Sequence, residues 1–186
     1  MKKSVIVLIL MLFVVVNANA NEWTGNLNFF LGQKTLDKDD WAQVEDHGEF
    51  GILLDFKPKS WPISIAIDIL GSASEETLAG VVYKGTTSEF DVGVRKIWET
   101  GGPIRPFIGG GIASIAAEFE VSNGYFLLSD DDTSTGIWIN GGVYWTLGKH
   151  FNLGLEARYS KAEVKLFGVD GEAGGSHVGL LLGYHW

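Results

Sequence analysis

The strongest constraint in this chain is a two-residue period that recurs in eight segments. From 178 to 186, Val178, Leu180, Leu182, Tyr184 and Trp186 alternate with Gly179, Leu181, Gly183 and His185. Such a period puts successive side chains on opposite faces of an extended strand. One face here is wholly apolar; the other is small or polar apart from one leucine. A second segment is cleaner still, with Trp61, Ile63, Ile65, Ile67 and Ile69 set against Pro62, Ser64, Ala66, Asp68 and Leu70. An apolar face of about nine residues with aromatic ends is what a tilted strand needs to cross a bilayer.

The remaining segments follow in chain order. The first, 23–32, puts Trp23, Leu27, Phe29 and Leu31 on one face and Asn26, Asn28 and Phe30 on the other. The second sends Phe50, Ile52, Leu54 and Phe56 outward and Glu49, Leu53 and Asp55 inward. In the fourth, Phe90, Val92, Val94 and Trp98 point out, interrupted by Lys96, while Glu89, Asp91 and Arg95 point in. The fifth, 105–119, has two apolar faces. The face with Phe107, Gly109, Gly111, Ala113, Ile115, Ala117 and Phe119 has aromatics at both ends and is expected to point outward. The sixth sets Ile137, Ile139, Val143, Trp145 and Leu147 against Trp138, Asn140 and Tyr144. The seventh sets Phe151, Leu153, Leu155, Ala157 and Tyr159 against Asn152, Glu156, Arg158 and Ser160.

Connections alternate long and short. Polar loops are expected at 33–48, around 71–76, around Asp130, Asp131 and Asp132, and at 161–176, with short turns at 57–60, 99–103 and 148–150. That alternation predicts an all-β fold: an eight-stranded antiparallel up-and-down transmembrane β-barrel. It is preceded by what looks like a cleavable signal peptide at 1–20, with Lys2 and Lys3, an apolar run from Val5 to Val16, and Ala18-Asn19-Ala20 as cleavage site. The barrel domain is then 21–186. Losing the two leader lysines takes the net charge from −9 to −11, a poor balance for nucleic-acid binding. With no cysteine there is neither a disulfide framework nor a thiolate metal site.

Alternation alone also fits a soluble barrel with an apolar interior. Three details favour lipid outside. The polar face is mostly Gly, Ser, Asn, Ala and Thr, unlike a water-exposed surface rich in lysine and glutamate. Aromatics sit at the ends of apolar faces, with Trp23, Phe50, Phe56, Trp61, Trp98, Phe151 and Tyr159 as the expected girdle. The chain also ends inside its last strand on an aromatic residue. The leader, the eight-strand layout and the Val178…Leu180…Leu182…Tyr184…Trp186 ending resemble the small eight-stranded outer-membrane barrels of Gram-negative bacteria, of OmpA, OmpX and OmpW type. The Arg105-Pro106-Phe107-Ile108-Gly109-Gly110-Gly111 stretch resembles a strand common in them. The resemblance implies the cell outer membrane as location, outer-membrane lipid and lipopolysaccharide as surroundings, and a monomer. It also makes Val178, Leu180, Leu182, Tyr184 and Trp186 the signal read by the barrel-assembly machinery, Trp186 replacing the usual phenylalanine.

Charges on the lumen face are Glu49, Asp55, Asp68, Glu89, Asp91, Arg95, Glu156 and Arg158. Unpaired charge in a dry interior is costly, so Arg95 and Arg158 should each contact inward carboxylates and fill the lumen. Glu118 belongs there only if the fifth strand faces the other way. Acidic loop residues are expected to be solvated, with no metal and no cofactor bound. The expected function is a structural or surface-interaction barrel and not an enzyme. A narrow channel for small or hydrophobic molecules, of OmpW type, is the alternative, with Trp138 and Tyr144 lining it. A lipid A-modifying enzyme is the second alternative, for which His47, Ser176 and His177 lie near the outer rim without a supporting motif.

Overall fold

The computed structural model describes residues 22–186; the signal-peptide reading at 1–20 lies outside them. The chain forms β1 (Trp23–Thr35), α1 (Lys38–Trp41), β2 (Asp46–Pro58), β3 (Ser64–Leu78), β4 (Val81–Ile97), β5 (Ile104–Ser122), β6 (Leu127–Leu147), β7 (Phe151–Lys161), β8 (Glu163–Leu166), β9 (Val169–Glu172) and β10 (Gly175–His185). Eight strands close into a barrel in the order β1-β10-β7-β6-β5-β4-β3-β2, and β8 pairs β9 as a separate hairpin. The first and last strands make the seam, antiparallel from Asn26↔His185 to Thr35↔Ser176. Closure satisfies every wall strand on both sides, which a lipid-embedded sheet requires.

The period-two pattern carries through. Leu31, Ile69, Ile112, Ile137, Leu155 and Val178 are among the most exposed apolar residues, while their sequence neighbours Phe30, Leu70, Ala113, Trp138, Glu156 and His177 are buried. Along most strands the outward apolar stretch covers about nine residues. At ~3.3 Å per residue and a ~40° tilt, that makes a band roughly 20 Å tall. Trp61 and Trp98 lie just outside β3 and β4, at the lower rim, and are half exposed. Phe56 packs beside Trp23, and Trp186 lies over Gly25, where any Cβ would meet its ring at 2.5 Å.

Two expectations are corrected. β5 faces the other way: Phe107, Ala113, Ile115 and Ala117 are buried inside, and Ile108 and Ile112 point to lipid. Phe107 stacks on Tyr144 at 4.4 Å and Phe119 meets Trp41 edge-on, so both aromatics belong to interior clusters and not to a girdle. The three glycines Gly109 to Gly111 erase the contrast that distinguishes the faces elsewhere. Glu118 is accordingly outward and exposed, and Arg105 turns inward.

The second correction concerns the loops. The stretches around 71–76 and Asp130 are not loops. β3 and β4 run on to a two-residue turn at Ala79-Gly80, both at positive φ (52° and 83°), which suits a tight hairpin. β5 and β6 stay paired to Ser122↔Leu127. β4 also pairs β5 up to Val82↔Ser122. The four strands therefore continue as one sheet standing roughly 25 Å beyond the apolar band, taking about ten residues of β5 at strand rise and tilt.

At the seam, Phe30 lies inside over Gly32 and Gly179, where a Cβ would come within 2.7 and 2.6 Å of its ring. Gly179→Val should therefore destabilise the barrel by about 1–3 kcal/mol through overpacking. Urea unfolding in detergent micelles measures it, and an unchanged midpoint would contradict the packing described.

Candidate functional site

The lumen is filled in layers, each built from inward residues of several strands. In the middle layer Arg158 of β7 reaches across the barrel. Its Nη2 donates to Asp68 and its Nη1 to Asp91, and Nε donates to Glu156 at 3.1 Å. Its guanidinium lies over Trp138, 4.8 Å from the ring centroid. Arg95 of β4 donates to the same Asp68 at 2.8 Å and to Asp55 at 3.3 Å, and sits over Phe107. Asp55 also accepts from Asn26 at 2.7 Å. Every side chain in these ion pairs is 0% exposed. A charge so enclosed survives only with opposite charge and donors fitted around it.

The upper layer centres on Lys34 and His177. Lys34 donates to Glu89 at 2.5 Å, to Thr87 at 2.9 Å and to the Ala173 carbonyl at 2.9 Å. Ser160 donates its hydroxyl to Glu89 at 3.1 Å, so its oxygen is left to accept from His177 Nε2 at 3.0 Å. His177 Nδ1 faces both Glu49 oxygens at 2.9 Å. Ser160, His177 and Glu49 thus stand in the order of a nucleophilic triad, but the serine proton is directed at Glu89. Ser160 is also 0% exposed, with no open face for a substrate. His47 bonds Ser72, which bonds Thr87. Ser176, an expected rim residue, is exposed on the outside.

Above this layer the chain covers its own mouth. The β1–β2 connection turns inward through α1, capped by Asp37, and buries Leu36, Trp41 and Val44. Trp41 donates from Nε1 to the Glu172 carbonyl at 2.8 Å, and Asp40 accepts from the Glu172 amide at 2.8 Å. Ala162, Val164 and Ala173, in and beside the β8–β9 hairpin, complete an apolar lid with Ala113, Ile115 and Ala117 of β5. Asp130 and Asp132 of β6 accept the Phe167 and Lys165 amides and fix that hairpin to the sheet. The amides of Lys165 and Thr133 hold the exposed Asp132 carboxyl below the usual carboxylate range.

Beside and below the middle-layer ion pairs, Phe30, Leu53, Leu70, Ile97, Phe107, Tyr144 and Leu181 form an apolar plug. Trp138 and Tyr144 are thus filling and leave no ligand pocket between them. At the lower mouth Arg105 donates to Asn26 at 2.9 Å, Asn152 at 3.0 Å and Thr146 at 2.9 Å. Beneath it lies an open depression of about 470 Å³ lined by Glu99, Pro103, Arg105, Thr146 and His185. Glu49, Asp55, Asp68, Glu89, Asp91, Arg95, Glu156 and Arg158 are all buried in this lumen. Lys34, His47 and Arg105 join them unannounced, although Lys34 is in phase with Asn26 and Phe30, and His47 with Glu49.

No family model matches the chain, and no curated protein matches its sequence. Among solved structures it is similar to Ail, the attachment invasion locus protein of Yersinia pestis, crystallised with the heparin analogue sucrose octasulfate. The TM-score is 0.61 at 13% identity, over 89% of this chain and 99% of that one. A major outer membrane protein from Thermus thermophilus gives 0.57 at 10% identity, over 88% and 98%. Neisserial surface protein A gives 0.54 at 13% identity, over 88% and 94%. The fold is that of the small outer-membrane β-barrels. Within that barrel the ionic middle layer belongs to this chain's own side chains, since identities this low fix backbone and not lumen chemistry.

Arg158→Met leaves Asp68, Asp91 and Glu156 short of their main cation and should cost about 3–5 kcal/mol. Arg105→Met leaves mostly neutral amide and hydroxyl partners and should cost less, about 1–3 kcal/mol. Urea unfolding of the two variants in lipid vesicles tests the order; a larger loss for Arg105→Met would reverse it.

Proposed function

We propose that this protein is a closed outer-membrane barrel whose role is structural and surface-interacting, performed by the sheet above the membrane and not by its lumen. The observation that carries the proposal is the enclosure of Arg95 and Arg158 with their carboxylates, 0% exposed, beneath a lid containing Trp41. A conduit needs a continuous polar path, and here an apolar plug packed against the ion pairs, with an apolar lid above them, interrupts it. The outward apolar band, with Trp23, Phe56, Trp61, Trp98 and Phe151 toward the lower rim and Phe50 and Tyr159 toward the upper, fits outer-membrane lipid, with lipopolysaccharide around the outer sheet. The outward face of the closing strand, Val178, Leu180, Leu182, Tyr184 and Trp186, suits recognition by the barrel-assembly machinery while the seam is still open. The enclosed Ser160 supports a non-enzymatic role.

In planar bilayers the refolded protein should give no discrete channel openings. Reproducible openings would replace this reading with a narrow conduit. Lipid A of altered acylation in cells carrying the protein would replace it with an enzyme.

A further inference from the structure

The outer sheet ends in an apolar crest made of its two hairpin turns. The turns stand level, because Val82, just after the β3–β4 turn, pairs with Ser122, just before the β5–β6 turn. From Leu78 to Val82 and from Val121 to Ser129 no residue carries a charge. The Asn123 amide closes the β5–β6 turn by donating to the Phe126 carbonyl at 3.3 Å. The Asn123 side chain accepts from the Tyr125 and Phe126 amides at 3.1 and 3.2 Å. The turn thus satisfies its own backbone and leaves its side chains to the outside. Tyr125 is 98% exposed, and Phe126, Leu127 and Leu128 are each more than half exposed. Leu78, on the neighbouring hairpin, is half exposed as well. A run of apolar side chains held out in this way marks a contact surface. Below the crest the sheet is acidic. Glu75 and Glu76 lie on β3, Glu118 and Glu120 on β5, and Asp130-Asp131-Asp132 on β6, with Lys84 on β4 as the one cation among these stretches.

We propose that this crest inserts into the near leaflet of a facing membrane of zwitterionic lipid, with phosphatidylcholine as the headgroup type. The proposal rests on the surface-interaction reading above and names the partner chemistry for it. The protein's own bilayer is out of reach, since the crest stands roughly 25 Å above the apolar band with the acidic stretch between. The crest is convex, and its two level tips fit a flat apolar layer, which needs no matching pocket. Tyr125, at the very tip, has the amphipathic ring that settles among headgroups, and Phe126, Leu127 and Leu128 supply the apolar contact beneath it. Charge selects the lipid. Once the crest is inserted, the acidic stretch comes close to the headgroups, where a negative surface would repel it and a zwitterionic one would not. A second copy of this chain fits poorly for the same reason, because crest against crest brings two acidic stretches together.

The test uses the full chain in phosphatidylcholine nanodiscs, mixed with phosphatidylcholine vesicles and floated on a density gradient. The nanodiscs should rise with the vesicles. The double variant Y125S/F126S, which removes two apolar side chains from the turn, should lower the fraction floated by about tenfold or more. Unchanged gel mobility of the unheated variant checks that its barrel is intact. Asp131→Lys, beneath the crest, should leave flotation within about twofold, because a zwitterionic surface carries no net charge for it to meet. Replacing part of the vesicle lipid by phosphatidylglycerol should weaken flotation about fivefold at low salt, and high salt should restore it. Nanodiscs that do not float, a Y125S/F126S variant that floats like the parent, or a preference for anionic vesicles would each overturn the proposal. Nanodiscs that pair with one another in place of vesicles would assign the crest to a second copy. Binding to cells that protease treatment of those cells abolishes, with no vesicle flotation, would assign it to a protein. The surface reading is scored separately with Ser129→Cys, an exposed position in a chain that has no other cysteine. An impermeant maleimide should label that variant on intact cells. Labelling together with failed flotation removes the membrane contact alone; absence of labelling removes the surface reading as well.

Discussion

The guanidinium of Arg158 is the interaction on which the interior depends. An eight-stranded barrel is too narrow to keep a charged side chain hydrated, so each inward charge must be met by protein. Arg158 on β7 reaches Asp68 on β3, and in the ring order those strands lie four places apart, on opposite walls. Asp68 is shared with Arg95, which passes the link to Asp55 and β2. Lower down, Arg105 on β5 meets Asn26 on β1, again four places across. The lumen is thus cross-braced at two levels, with apolar side chains packed between.

Outside, lipid imposes the opposite demand. Backbone polar groups cannot be left open in hydrocarbon, which forces the β1–β10 seam and sets the wall's apolar face. That demand ends where the band ends. From there the strands need no ring, and β3 to β6 continue as an open sheet while β1, β2, β7 and β10 stop or turn inward as a lid. Wall, plug and outer sheet are therefore consequences of where each stretch of strand sits along one axis.

Much of the wall was legible in the sequence because lipid enforces period two. Leu27 to Leu31, Trp61 to Ile69 and Phe151 to Tyr159 could be assigned by counting alone. β5 could not, because its inner face packs against the lid and the plug and is as apolar as its outer face. Ala113, Ile115 and Ala117 share one cluster with Trp41 and Val44, a grouping that no local pattern announces. The outer hairpins were hidden for a related reason. Glu75, Glu76, Asp130 and Asp131 are water-facing strand residues, and a strand polar on its outer face looks like a loop. Lys34 and His47 were in phase with the inward face but sat inside a polar run, where their periodicity carried no contrast. The partners of Arg95 and Arg158 come from strands far apart in sequence, so only ring order and register bring them together.

Arginine side-chain NMR of the protein in lipid bilayers tests the closed lumen most directly. The Nε–H and Nη–H signals of Arg158 and Arg95 should be resolved, shifted from free arginine and slow to exchange with water. Exchange at the rate of free arginine for either residue would show water reaching the middle layer, and would contradict a barrel closed by its own charges.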